Sequence, residues 1–94
     1  MCIRDSEGLK HLEQLSALER LELDDTEITD AGLKHLKGLT QLRVLTLDNT
    51  PVTDAGLQHL EGLTRLRYLQ LYGTHVTHQG VRKLERALNC AILY

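Results

Sequence analysis

Leucine recurs on a lattice in this chain, and the spacing of that lattice changes partway through each unit. Leu18, Leu21 and Leu23 return as Leu42, Leu45 and Leu47, and again as Leu66, Leu69 and Leu71. The last two leucines of each triplet alternate with polar neighbours, the period of a half-buried strand. Further on, Leu33, Leu36 and Leu39 stand three apart, as do Leu57, Leu60 and Leu63. That spacing lines one face of a short helix. Thr29-Asp30 and Thr53-Asp54 precede the predicted helices, offering an N-cap oxygen and a negative charge near the positive dipole end.

The switch from one pattern to the other repeats every 24 residues. "LERLELDDTEITDAGLKHLKGLTQ" (18–41) and "LRVLTLDNTPVTDAGLQHLEGLTR" (42–65) are identical at 15 positions. A third copy, "LRYLQLYGTHVTHQGVRKLERALN", starts at Leu66, and "SEGLKHLEQLSA" (6–17) matches the second half of a unit. The expected organisation is a half repeat 6–17, repeats 18–41, 42–65 and 66–88, and a terminal strand 89–94. The third helix breaks the pattern with Ala87 and Leu88, and "NCAILY" reads as a last strand with Cys90 and Ile92 inward. Strand, turn and helix repeated in register give parallel strands joined by helices. No unit buries its leucines alone, so neighbours must stack. Thr26, Thr50 and Thr74 sit at the turn between strand and helix, where a buried hydroxyl is expected to bond a neighbouring turn's backbone and build a ladder.

These residues carry a resemblance. "LxxLxLxxT" followed by "xVTDxGLxxLxxL" resembles the leucine-rich repeat family over nearly all of Ser6 to Leu84, in its "TDAGL" variety. That variety occurs in large bacterial repeat proteins and in cysteine-containing repeats of F-box proteins. Thr26, Thr50 and Thr74 occupy a turn position where the family usually carries Asn or Cys, which favours the bacterial variety. The resemblance implies an α/β fold, a leucine-rich-repeat solenoid of right-handed parallel β-α repeats. It implies a concave face lined by strands and used for protein recognition, and it is similar to the C-terminal end of a longer repeat protein.

The first residues do not share the rhythm. Extending the 24-residue phase leftward puts Arg4 in the inward slot held by Ile28, Val52 and Val76. "MCIRD" also resembles the translation of a transposon-type sequencing adapter, so residues 1–5 are expected to be a non-native scar. The helix of Leu9, Leu12 and Leu15 would then lack its strand, leaving Leu18 to Leu23 as a sheet edge.

Composition narrows the function classes. Phe and Trp are absent and only three Tyr occur, so leucine must build the core. Eleven basic against thirteen acidic residues leave a net charge of −2, which makes no case for nucleic acid or an anionic membrane as partner. No apolar run approaches the ~20 residues of a membrane span. Cys2 and Cys90 form no Cys-x-x-Cys pattern. A soluble chain in a reducing, cytoplasmic compartment is the expectation. Cys90 reads as a small core residue.

Candidate chemistry is sparse. His11, His35 and His59 recur every 24 residues, but adjacent helices pack ~8–10 Å apart. Zinc needs its ligand atoms ~2.0–2.1 Å from one ion, so a solvated helix face is expected. His75 and His78 form a His-x-x-His in a loop with no carboxylate or thiol nearby. Asp24 and Asp48 are expected as lateral neighbours ~4.8 Å apart, a repulsion of only ~1 kcal/mol in water that needs no cation. No nucleophile–base arrangement and no phosphate-binding glycine loop occurs. The expectation is a non-enzymatic chain with no cofactor and no metal.

What remains is the concave face. Alternation projects Arg20, Glu22 and Asp24, then Val44, Thr46 and Asp48, then Tyr68, Gln70 and Tyr72, with Ala91 and Leu93 after them. Tyr and Arg dominate interface energetics, so Tyr68 and Tyr72 are the leading contacts for a protein partner. Two other readings stand beside this one. The repeats could serve only to cap a longer array, or they could be an accessory domain of an enzyme such as a kinase or ubiquitin ligase.

Overall fold

The computed structural model describes residues 17–94. The half repeat, the opening residues, Cys2 and His11 therefore lie outside the described residues. Four strands, β1 (Arg20–Glu22), β2 (Val44–Thr46), β3 (Tyr68–Gln70) and β4 (Ala91–Leu93), form one parallel sheet in sequence order. Between them run α1 (Asp30–Leu33), α2 (Asp54–Leu57) and α3 (His78–Ala87).

Register follows the leucine lattice. Leu21 pairs with Leu45, Leu45 with Leu69, and Leu69 with Ile92. All three leucines are fully buried, and Ile92 and Cys90 pack against the same core at its end. With neither Phe nor Trp, the core is a column of stacked leucines closed by Ile28, Val52 and Val81.

The helices differ from one another for a reason visible in their spacing. α1 and α2 are single turns that tighten at once into 3-10 turns, Lys34–Leu36 and Gln58–Leu60. A 3-10 helix has three residues per turn, so side chains three apart eclipse and can all face one side. Leu33, Leu36 and Leu39, spaced by three, are all buried. In α3 the buried residues are Val81 and Leu84, three apart, and Leu88, four further on, is buried at its C-cap. That spacing fits 3.6 residues per turn, and α3 runs as a regular helix of 10 residues. His78 is its first residue, so the His-x-x-His pair is not a loop as expected.

The threonine ladder takes another form. Thr26, Thr50 and Thr74 donate to Leu23 O, Leu47 O and Leu71 O at 2.7–2.8 Å, each within its own repeat. A short side chain reaches the strand-end carbonyl three residues back more readily than the next turn. Carboxylates link the repeats instead. Asp30 accepts from Thr53 N at 2.7 Å and from Thr53 Oγ1 at 2.5 Å. Asp54 takes the same two bonds from Thr77 at the same distances. Each aspartate at a helix start thus clamps the threonine opening the next helix. The clamp needs room: a Cβ on Gly80 would lie 2.1 Å from Asp54 Oδ1, and one on Gly56 2.4 Å from Asp30 Oδ1.

Candidate functional site

Parallel pairing sets the outward residues into two rows. Arg20, Val44, Tyr68 and Ala91 form one; Glu22, Thr46, Gln70 and Leu93 form the other. Successive side chains on a strand point to opposite faces, and the alternate positions Leu21, Leu45 and Leu69 are buried. Both rows therefore lie on the side of the sheet away from the leucine core.

The nine residues expected on this face divide into three groups. Tyr68 is 37% and Tyr72 46% exposed, and together with Tyr94 they are the exposed large hydrophobics of the described residues. Arg20 and Glu22 are also open and pair with each other at 3.3 Å. An ion pair this exposed contributes only ~0–1 kcal/mol, so an incoming group separates it at little cost. Val44 and Gln70 are half-buried.

Thr46, by contrast, is buried, and its hydroxyl has no hydrogen-bond partner. Its lateral neighbours are Glu22 and Gln70, and Gln70 Nε2 reaches back to Asp48 Oδ2 at 2.8 Å. The long amide thus crosses toward the strand that carries Thr46.

Asp24 and Asp48 are held by the backbone. Asp24 Oδ1 accepts from Asp48 N, and Asp48 Oδ1 from Tyr72 N, both at 2.8 Å. With Gln70 on its second oxygen, Asp48 is engaged at both, which leaves its carboxylate less free for a partner than the strand pattern suggests. The pair faces amide donors, and that accounts for two acids in adjacent turns.

One feature of the rim escaped the hydrophobic pattern. Asp25, Asn49 and Gly73 have φ of 57°, 58° and 73°, in the left-handed region. Asn and Asp tolerate that region better than other side chains, and Gly does so freely. The residue types at these three register-matched positions are the signal that could have located the turn. Asn49 Nδ2 also donates to Asp25 Oδ1 at 2.8 Å, a further link between repeats.

Elsewhere, His35 and His59 sit half-buried on successive 3-10 turns. No group of three or more His, Cys, Asp or Glu among the described residues could hold a metal ion. His78 Nδ1 contacts the hydroxyl of Tyr94, which joins the start of α3 to the last residue. Burial, with a smaller contribution from the Glu85 charge, raises the Cys90 thiol above its ordinary 9.0. No helix among the described residues is long and apolar enough to cross a membrane.

Comparison with known proteins gives one positive finding. The family described as leucine rich repeat matches residues 16–76, well over half of the chain. No curated protein is matched.

Proposed function

The chain belongs to the leucine-rich repeat family, and on that premise we propose that it is a non-catalytic recognition module that docks a protein partner on its strand face. Domains of this family generally mediate protein–protein interaction and are typically not enzymes. The observation that carries the reading is the exposure of Tyr68 and Tyr72 beside Gln70 on that face. Tyrosine offers a large rigid apolar body with a polar tip, the combination enriched where binding energy concentrates.

Size sets the scope of the proposal. Four strands of three residues each, ~4.8 Å apart and rising ~3.3 Å per residue, project roughly 200 Å². A standard interface uses ~800 Å² per partner. The face therefore supplies less than half of such an interface, with the tyrosines as its anchor. Arg20 and Glu22 at the opposite edge would form a polar rim.

The test is capture of partners from lysate of the source organism by the unaltered chain and by a Tyr68→Ala/Tyr72→Ala variant. A central, desolvated tyrosine contributes ~2 kcal/mol or more, about thirtyfold in Kd. The variant should keep its circular dichroism spectrum and lose the retained protein. Equal retention by both chains would sink the proposed surface.

A further inference from the structure

We propose that a second site lies at the start of β3, and that it takes a phosphorylated side chain of a protein partner. A pocket of about 830 Å³ there is lined by Arg43, Arg65 and Arg67 together with Thr64, Asn89 and Cys90. It stands at the rim where strands begin, on residues that precede the tyrosine face.

Backbone pairing brings the arginines together. Arg67 N donates to Arg43 O at 2.8 Å, which sets these two residues side by side on adjacent strands, ~4.8 Å apart. Arg65 precedes Arg67 by two residues. Beyond them Ala91 N bonds Arg67 O at 2.9 Å, and the wall there is small and neutral.

Charge gives the ligand class. Arg43 pairs with Glu19 at 3.3 Å, so its charge is offset. Arg65 bonds only the neutral amide of Gln41, at 2.8 Å. Arg67 has no side-chain partner among the described residues. No carboxylate lines the pocket; Glu85 acts on Cys90 from outside the lining. Two guanidinium charges are thus left without a counter-charge in one concavity. A phosphate monoester carries about −1.5 to −2 charges and three acceptor oxygens. Guanidinium forks bind such oxygens in bidentate fashion, and the Thr64 hydroxyl and Asn89 amide add neutral donors. A single carboxylate would match only one of the two free charges.

Nor does the repeat lattice account for this cluster. The equivalent positions are Ala17 and Glu19 in one unit, Gln41 and Arg43 in the next, then Arg65 and Arg67. At these positions basic charge gathers toward one end of the stack, and like charges brought this close repel in the unbound protein.

The experiment titrates the full chain at low ionic strength with a Gly-phosphoserine-Gly peptide, following the arginine Nε–Hε resonances by NMR. Its arms are the unphosphorylated peptide, a Gly-Glu-Gly peptide and inorganic phosphate. The phosphopeptide should bind and shift Arg65 and Arg67, and should bind more tightly than any other arm. Arg65→Gln/Arg67→Gln should weaken it at least about tenfold, the scale of losing a charge-assisted hydrogen bond, while Arg82→Gln on α3 leaves it unchanged. Should the double variant fail to fold, Arg65→Lys/Arg67→Lys serves instead: it keeps the charge, loses the forks, and should still bind measurably more weakly. Glutamate peptide or free phosphate binding as tightly as the phosphopeptide would overturn the assignment, and so would unchanged affinity in the substituted chain. Tyr68 and Tyr72 are not in this pocket, so the result is independent of the strand-face proposal.

Discussion

Gly80→Ala is a substitution that helix propensity alone would favour and that the packing between repeats should reverse. Gly80 lies in the first turn of α3, where exchanging Gly for Ala would ordinarily gain up to about 1 kcal/mol. A Cβ there would sit 2.1 Å from Asp54 Oδ1, 2.3 Å from its Cγ and 2.8 Å from its Oδ2. The carboxylate has to turn away, and it then loses Thr77 N at 2.7 Å and Thr77 Oγ1 at 2.5 Å. Hydrogen bonds to a charged group contribute ~1.5–3 kcal/mol each. These are exposed and water replaces part of them, so about 1 to 1.5 kcal/mol each is the usable figure. Set against the propensity gain, Gly80→Ala should destabilise by about 1–2 kcal/mol.

Urea or thermal unfolding reads this directly, because 1 kcal/mol moves the Tm of a 60–100-residue domain by about 4–8 °C. Two companion chains make the reasoning falsifiable. In an Asp54→Ala background the obstacle is gone, so adding Gly80→Ala should now raise the Tm. Gly62→Ala, where a Cβ meets nothing within 4 Å, should leave it nearly unchanged. A Gly80→Ala chain more stable than the parent, or no sign change between the two backgrounds, would refute the clamp.

Thr46→Val replaces a buried, unpartnered hydroxyl with a methyl of similar shape and should stabilise by about 1 kcal/mol. Thr26→Val should lose about as much, because the Thr26 hydroxyl donates to Leu23 O at 2.7 Å. Two Tm shifts of the same sign would contradict the difference between these sites. Iodoacetamide labelling of Cys90, followed by peptide mass spectrometry against pH, should have its midpoint above 9.0 and move down in Glu85→Gln. Because the folded thiol is held neutral, its contribution to stability is complete below the unfolded pKa and is lost as pH rises toward the folded one. A midpoint at or below 9.0 would show that burial does not govern this thiol.

Much of the fold was legible because leucine marks both periods. Leu21, Leu45 and Leu69 declared the strands and their register, and with Phe and Trp absent leucine makes up most of the core. What stayed hidden was how the polar positions divide their work. Asp24 and Asp48 read as neighbouring acids in water and Asp30 and Asp54 as charges at helix starts, yet all four accept bonds from the next repeat. Local spacing says which face a residue occupies; it does not say which amide lies 24 residues away across a turn. The 3-10 turns were hidden for a related reason. A spacing of three satisfies both helix types, and only the stacked neighbours choose between them.

That division of work separates scaffold from recognition. Several polar positions kept between repeats 18–41 and 42–65 are held in bonds: Asp24 and Asp48, and Asp30 and Asp54, accept from the next repeat, while Thr26 and Thr50 donate to their own strand ends. A residue consumed by stacking cannot change without cost to the neighbouring repeat. The proposed recognition surface uses positions where the lattice varies: Arg20, Val44 and Tyr68 in one row, Glu22 and Gln70 in the other. Tyr72 shows the exchange at a single residue. It stands where Asp24 and Asp48 stand, and its N–H still donates to Asp48 Oδ1. Having no carboxylate, it cannot hold a following turn in the same way. The register also shortens at this point, from 24 residues between Val44 and Tyr68 to 23 between Tyr68 and Ala91. Ending the aspartate ladder here frees the position for an exposed aromatic ring, at the opposite end of β3 from the arginine pocket.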